Sequence, residues 1–366
     1  MASIIKKHTE FSEKLLKMAP VHAVSLKLLA NVPAMMRAAP LPYPVSPEVF
    51  QSVAPALFKR RIDSLYYLQF DRNAEPQQQY RNVFEQQNRA FETVRDAARD
   101  LDCDVCVYKG LNYLFRVFDR DPINMMHDVD LVVRRADVPR IKQALRGLGY
   151  VQGDLVENTL EIVPRTQEFL ESYDTEGYEL YAFTKVLDFP AHPALNNARG
   201  PVYKTSDAMK IAVSFDIHLS PSLDLGAQLI WDHAVHVTAA AAACTDLTVQ
   251  VWLSALRYYI EVALNRRRRN IRELAYITAA LSHPRLDWEL FVALTHTHGT
   301  HPPIWYTLAF LDHVAELSIP DWVLMSLHPT KGDRTFDFGW QYPKLFGLLD
   351  ELPKDELRSG LARGNG

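Results

Sequence analysis

The stretch that decides the fold is DVCVYKGLNYLFRVFDRDPINMMHDVDLVVRR, residues 104–135. Its first apolar run predicts a buried strand ending in Lys109-Gly110, then a short helix over 112–118 and a polar loop. A second strand carries Asp128-Val129-Asp130 and continues through 131–133. Alternation along a strand sends Asp128 and Asp130 to one face, about 7 Å apart. Two carboxylates so placed repel each other unless a cation lies between them. Their oxygens suit Mg²⁺, which takes one or two carboxylates together with substrate phosphates. On the other side, Gly110 lets the backbone approach a ligand closely, and the helix N-terminus after it is a ready anion site. Metal on one side and phosphate cradle on the other describe a nucleotide pocket. The plain alternative is a solvated pair of acids at a strand end.

Outward from this stretch, Asp137 is placed to cap a helix over 138–148, with Gly149 as its stop. A β-rich region follows, with strand character over 179–189, an irregular loop PAHPALNNARGP, and a strong strand over 209–219 that carries Asp216 and His218 on one face. Apolar spacing then predicts helices over 247–264, 270–281, 286–297 and 304–317. Upstream, helices are expected over 3–18, 23–37, 47–70 and 76–101, with a Pro-rich connector at 38–47 and Ser46-Pro47-Glu48 as a helix start.

The order of strand, Gly turn, helix and Asp-x-Asp strand resembles the nucleotidyltransferase superfamily, and within it the bacterial group labelled uncharacterised nucleotidyltransferases. The pieces are Val107-Tyr108-Lys109-Gly110, then residues 128–133, then the helix ending at Leu148-Gly149-Tyr150. Phe215-Asp216-Ile217-His218-Leu219 is similar to the family's later strand of acid, hydrophobe and His. LDLGAQLIWDHAVHV is similar to its Leu-Trp segment. Residues 272–277 with Leu286-Asp287-Trp288 are similar to its helical C-terminal half. The likeness spans roughly residues 80–325.

It implies an α+β fold: a nucleotidyltransferase-like (polymerase-beta-like) mixed sheet flanked by helices, with N-terminal helices and a helical C-terminal half. The division expected is an N-terminal extension over 1–75, the core over 76–222, a helical domain over 223–330 and a tail over 331–366. The implied activity is Mg²⁺-dependent transfer of a nucleoside monophosphate from an NTP such as ATP onto a small-molecule or peptide acceptor. Asp128 and Asp130 would hold one or two Mg²⁺ ions, and Asp216 would complete a second metal site or act as base toward the acceptor. Lys109 would neutralise phosphate charge, Gly110 and Asn112 would approach the triphosphate, and His218 and Arg120 would be accessory. Two features depart from the pattern. Asn124 stands where close relatives place an Arg, leaving Arg120 farther off, and Met125-Met126-His127 replaces a frequent Gly. Two alternatives therefore accompany the reading: an RNA-modifying, toxin-like transferase, which needs the arginine run at 266–269 beside the carboxylates, and a catalytically inactive binding protein on the same fold.

The remaining sequence narrows the class. With 366 residues, 48% of them hydrophobic, the chain can bury a sizeable core in two or three units. A net charge of -4 argues against a dedicated nucleic-acid binder. Three cysteines cannot make a disulfide framework, which points to a reducing cytoplasm, and Cys103-x-x-Cys106 enters the buried strand as small core hydrophobes. No apolar run is long enough to span a membrane, and the N-terminus has no secretory apolar core. His296, His298 and His301 are expected to be ordinary loop histidines, and Asp232, His233 and His236 to lie on a polar helix face. The arginine run fits a solvated helix end or a phosphate clamp. Neither a G-x-S-x-G elbow nor a Walker-type loop is present.

Overall fold

The computed structural model describes residues 20–190, 200–206, 208–260 and 271–328. The expected helix over 3–18, residues 191–199 of the Pro-rich loop, the arginine run at 266–269 and the C-terminal tail lie outside them. The described chain divides into two compact units, one of residues 73–250 and one that combines 20–72 with 251–328. This differs from the sequence division. The N-terminal helices and the C-terminal helices form a single unit, and the boundary of the core falls at 250 rather than 222.

The helical unit begins with α1 (Pro20–Ala30), α2 (Val32–Met36), α3 (Pro47–Lys59) and α4 (Ser64–Phe70). The helix expected over 23–37 is thus two, parted at Asn31. Asn31 is buried, and its side chain exchanges hydrogen bonds with the backbone of Tyr43 (2.8 and 2.9 Å), tying the Pro-rich connector to the break. The single helix expected over 47–70 is also two. Ser46 caps α3 and Pro47 opens it, but Arg61 takes a left-handed φ of +59° that ends it.

The α/β unit runs through α5 (Glu75–Arg99), β1 (Cys106–Val107), α6 (Lys109–Arg116), β2 (Asp128–Val132), α7 (Val138–Gly147), β3 (Val151–Val156), β4 (Glu161–Pro164), α8 (Gln167–Glu176), β5 (Phe183–Phe189), β6 (Val202–Lys204), β7 (Met209–His218), α9 (Gln228–Asp232), β8 (Ala234–Val237) and β9 (Ala242–Thr245). Among the described residues these nine strands form one mixed sheet in the order β4-β3-β5-β7-β2-β1-β9-β8, with β6 also on β7. β2 pairs parallel with β7, and β1 pairs parallel with β9. This is the expected α+β mixed sheet flanked by helices. Two parts of it differ from expectation. The segment taken as part of a helical half contains the β8–β9 hairpin, which extends the sheet through β1, and the β-rich region after α7 contains α8.

The central strands are apolar on one face and acidic on the other. Val129, Leu131, Phe215 and Ile217 are buried, and Tyr150, just past α7, meets Phe215 edge-on at 5.2 Å. Helix α5 packs against β7 and α7. Its buried residues Tyr80, Phe84, Gln87, Phe91, Val94 and Ala98 recur at helical spacing, and Phe115 of α6 meets both Phe84 and Phe91. Asp137 occupies the cap position of α7, yet its carboxylate goes to Arg140 (2.6 Å) and makes no side-chain cap.

The helical unit resumes with α10 (Leu247–Tyr258), α11 (Ile271–Leu281), α12 (Trp288–Thr297), α13 (His301–Ala315) and α14 (Asp321–Leu327). α1 packs on α3, α4, α11 and α13, while α14 packs on α12 and α13. His296 and His301 bond to each other at 2.7 Å, with His296 also on Ser326 and His298 against Trp252. Among the described residues no helix is long and apolar enough to cross a membrane.

The loop between α6 and β2 is pinned to α5. Asp121 accepts hydrogen bonds from Gln77 (2.8 Å) and from both Nε and Nη2 of Arg81 (2.8 and 2.9 Å), while Gln87 donates to the Met126 carbonyl (2.8 Å). Both members of the ion pair are largely covered. Replacing Asp121→Ala removes three charge-assisted bonds and leaves Gln77 short of a partner. It is expected to lower unfolding stability by about 2 kcal/mol, read from the urea midpoint.

Candidate active site

The parallel register of β2 on β7 sets Asp130 opposite Asp216, Asp128 opposite Ser214 and Val132 opposite His218. Opposed residues in register share a face, so Asp128, Asp130, Asp216 and His218 project from the same side of two adjacent strands. The sequence placed the three acids on two separate segments. The sheet brings them together.

Lys109 enters this face from the end of β1. Its Nζ donates to Asp130 Oδ1 at 2.7 Å and lies 3.1 Å from His218 Nε2, which is itself 2.9 Å from the same Asp130 oxygen. The residue is held in place by its backbone. Lys109 has φ +49°, a left-handed conformation that costs a side-chain-bearing residue on the order of 1 kcal/mol. Its N–H donates to Gln250 Oε1 at 2.8 Å, and the preceding Tyr108 N–H donates to the Asp130 carbonyl at 3.1 Å. His218 is buried between two aromatic rings, Tyr108 edge-on at 5.4 Å and Tyr178 stacked at 6.2 Å. On its far side Nδ1 lies 3.4 Å from Glu179 Oε2.

Three ionisable groups here depart from ordinary behaviour. Burial alone would raise the Asp130 carboxyl, but the Lys109 ammonium and the His218 hydrogen bond outweigh it and hold Asp130 well below the usual carboxylate range. The Asp216 carboxyl is pushed up to about 8, first by burial and then by the charges of Asp128 and Asp130. Burial and the nearby Lys109 push the His218 imidazole below its usual value, against the pull of Asp130. Negative charge is therefore crowded on this face, and one ammonium compensates it in part.

The donor set suits a divalent cation. Carboxylate oxygens are hard ligands, and a cation between Asp128 and Asp216 would relieve the repulsion that lifts Asp216. Among the described residues no group of three or more His, Cys, Asp or Glu side chains is arranged to hold a metal ion by itself.

Asn112, Gly110 and Arg120 each have neighbours within the chain. Asn112 is fully buried, and its amide donates to the Thr245 carbonyl (2.9 Å) and reaches Gln250 (3.4 Å), so it fastens α6 to the chain after β9 and offers no side chain to a triphosphate. A side chain built on Gly110 would meet Met126 Sδ at 3.3 Å, so the missing Cβ makes room for Met126. Here is the reason for the bulky Met125-Met126 before the acids: both are buried. Arg120 lies over the Phe84 ring and 3.6 Å from Glu85 on α5. The helix begins at Lys109 itself, three residues before the predicted start.

Sequence reasoning missed Glu179 and Gln250. Residues 178–180 run beside the end of β7, which no local pattern announces, and Gln250 is one polar residue in an apolar helix. The three cysteines are buried free thiols, with Cys103 raised to about 11 and Cys106 and Cys244 to about 12 by burial, as core residues rather than reactive ones.

With this arrangement in view, comparison with known proteins gives a class. A family model described as uncharacterised nucleotidyltransferase matches residues 45–316, and the chain belongs to that family. Its general activity is transfer of a nucleoside monophosphate, with a nucleotide as substrate. Neither a curated protein nor a solved structure matches the chain.

The raised Asp216 has a signed consequence for stability. Its folded pKa of about 8 lies above the unfolded value of about 4, so the stability it contributes at low pH is lost as pH rises between these limits. Asp216→Asn removes that loss. In metal-free buffer the variant is expected to gain melting temperature over wild type, and the gain should widen from pH 5 to pH 8 by on the order of 5 °C. A gain that does not change with pH would mean that Asp216 titrates normally.

Proposed function

We propose that this protein is a Mg²⁺-dependent nucleotidyltransferase that moves an NMP from an NTP such as ATP onto a small-molecule or peptide acceptor. The observation that carries the reading is the register of β2 on β7, which aligns Asp130 with Asp216 and keeps Asp128 on the same face. The mildly acidic balance of the chain favours a small or peptidic acceptor over RNA.

Asp128 and Asp130 would hold the metal, with Asp216 as the third carboxylate. Magnesium bound there supplies Lewis acidity at the α-phosphate and neutralises charge on departing pyrophosphate. The chain's own residues do the rest. Lys109 brings a fixed ammonium to the edge of the acids, where it offsets phosphate charge. The Gln250 side-chain oxygen accepts from the Lys109 N–H and holds its backbone, and His218 Nε2 lies 3.1 Å from its ammonium. Asp216, ionised once a cation relieves the repulsion on this face, lies in register beside Asp130 and would complete the metal site or take the proton from an acceptor hydroxyl or amine as the new bond to phosphorus forms. The buried thiols suit a reducing compartment, and we place the enzyme in the cytoplasm.

The test is incubation with α-³²P-labelled NTPs and Mg²⁺, alone and with cell extract fractionated into RNA, peptide and small-molecule pools. Wild type is expected to label a non-RNA acceptor. Asp128→Asn and Asp130→Asn are each expected to lower transfer at least a thousandfold while keeping the wild-type circular dichroism spectrum. Label appearing on RNA would favour the RNA-modifying alternative. Absence of transfer with every NTP and pool would favour a binding protein on the same fold.

A further inference from the structure

The strand beside Asp216 carries an irregularity. The Leu180 N–H donates to the Ile217 carbonyl (2.8 Å), and Phe183 stands in register with Phe215. Between these two points Tyr181 and Ala182 oppose the single residue Asp216. Two residues against one is a β-bulge, a device that re-aims side chains and recurs beside active sites. It sets Tyr181 next to the third acid.

Tyr181 is one of three rings in mutual contact. Phe169 and Tyr173, one turn apart on α8, stack at 5.9 Å, and Tyr181 meets them edge-on at 5.5 and 5.3 Å. The helix that carries two of them is fastened. Leu170 and Asp174 form its buried side, and Asp174 accepts from the Tyr181 N–H (3.0 Å) and from Lys142 (2.5 Å). Arg165 lies over Phe169 and Tyr181 at 5.1 and 5.4 Å and donates to the Tyr181 hydroxyl (3.2 Å). Its charge is met by Asp154 at 2.6 Å, so the cluster offers a ligand ring surface rather than charge. That surface is open: Phe169 is 39% exposed, and Tyr173 and Tyr181 are half-buried. Partial burial raises the Tyr173 phenol, and the charges of Glu179, Tyr178 and Asp216 raise it further, so this ring is within electrostatic reach of the acids. In the sheet β5 borders β7 while β1 borders β2. Tyr181 and Lys109 therefore lie on opposite flanks of the acids. With Lys109 on the phosphate side, the rings flank the side from which an acceptor approaches Asp216.

We propose that Phe169, Tyr173 and Tyr181 form an acceptor-binding wall and that the acceptor presents a planar aromatic ring to it. Aromatic rings favour offset or edge-on partners of their own kind, the arrangement these three already adopt among themselves. The role as acceptor site rests on the transferase activity proposed for the acids; the binding of a ring does not. Saturation-transfer difference NMR on the full-length protein, with Mg²⁺ and a non-hydrolysable ATP analogue, tests it. The probes are tyramine and the peptide Gly-Tyr-Gly, set against 2-cyclohexylethylamine and Gly-Leu-Gly, which match them in charge and lack the ring. The aromatic probes are expected to bind through their ring protons and the controls to bind at least tenfold more weakly. Phe169→Ala and Tyr173→Leu are each expected to weaken the aromatic probes about 3- to 10-fold, with Phe169→Trp retaining wild-type binding. The peptide binding more tightly than tyramine assigns a peptide acceptor, and the reverse a small molecule. Controls that bind as well as the aromatic probes, or Phe169→Ala and Tyr173→Leu that bind as wild type does, overturn the proposal. So does a loss in these variants of the ATP analogue instead, which would make the wall a seat for the base. If the aromatic probes bind as stated while neither analogue binding nor transfer is found, the ring site stands and the transferase reading falls.

Discussion

One ammonium group, Lys109 Nζ, stands 2.7 Å from a carboxylate that is almost wholly withdrawn from water. Much of the α/β unit is arranged around that contact. Burying an unpaired carboxylate costs several kcal/mol, and removing one partner of a buried pair typically costs about 3–5 kcal/mol. Asp130 can lie in the sheet because Lys109 and His218 both stand against its carboxylate. Placing the lysine is backbone work: a left-handed Lys109, its N–H on Gln250, and Tyr108 bonded to the Asp130 carbonyl. Gln250 thus links the start of α10 to the start of α6, where Lys109 sits.

The other carboxylates are left with less compensation. Asp216 lies beside Asp130 in register and bears the repulsion of both other acids, so its proton is held to about pH 8. Relief of this repulsion is what the proposed divalent cation would supply. Behind the acidic face, Val129, Leu131, Phe215 and Ile217 form the buried side of the same two strands. Strand alternation thus lets one pair of strands supply both the core and the site.

Much of this was legible in the sequence because it rests on short-range periodicity. The Asp-x-Asp pair, the acid and histidine at 216 and 218, and the long amphipathic α5 are local patterns with periods of 2 or 3.6. What escaped reading depends on pairing between distant segments. Glu179 reaches His218 through an antiparallel run beside β7, and β8–β9 joins the sheet only because β9 lies parallel to β1. Two residues near the turn have neighbours that no local pattern shows. Asn112 and Gly110 have the chemistry of a phosphate loop, but tertiary contacts with Thr245 and Met126 occupy the amide of one and the open side of the other. Helix breaks at Asn31 and Arg61 were missed because apolar spacing continues through them while the backbone does not.

The claim at the centre is that the β2–β7 face balances clustered acids with one lysine and accepts a metal-bound triphosphate. Titration of Mn²⁺ by electron paramagnetic resonance at pH 8, with and without non-hydrolysable NTP analogues, tests it most directly. The account predicts weak Mn²⁺ binding to the free protein, strengthened at least tenfold by an analogue, and no such strengthening in Asp128→Asn. Wild-type protein that takes up no Mn²⁺ with any analogue, or an Asp128→Asn variant that binds as wild type does, would contradict it.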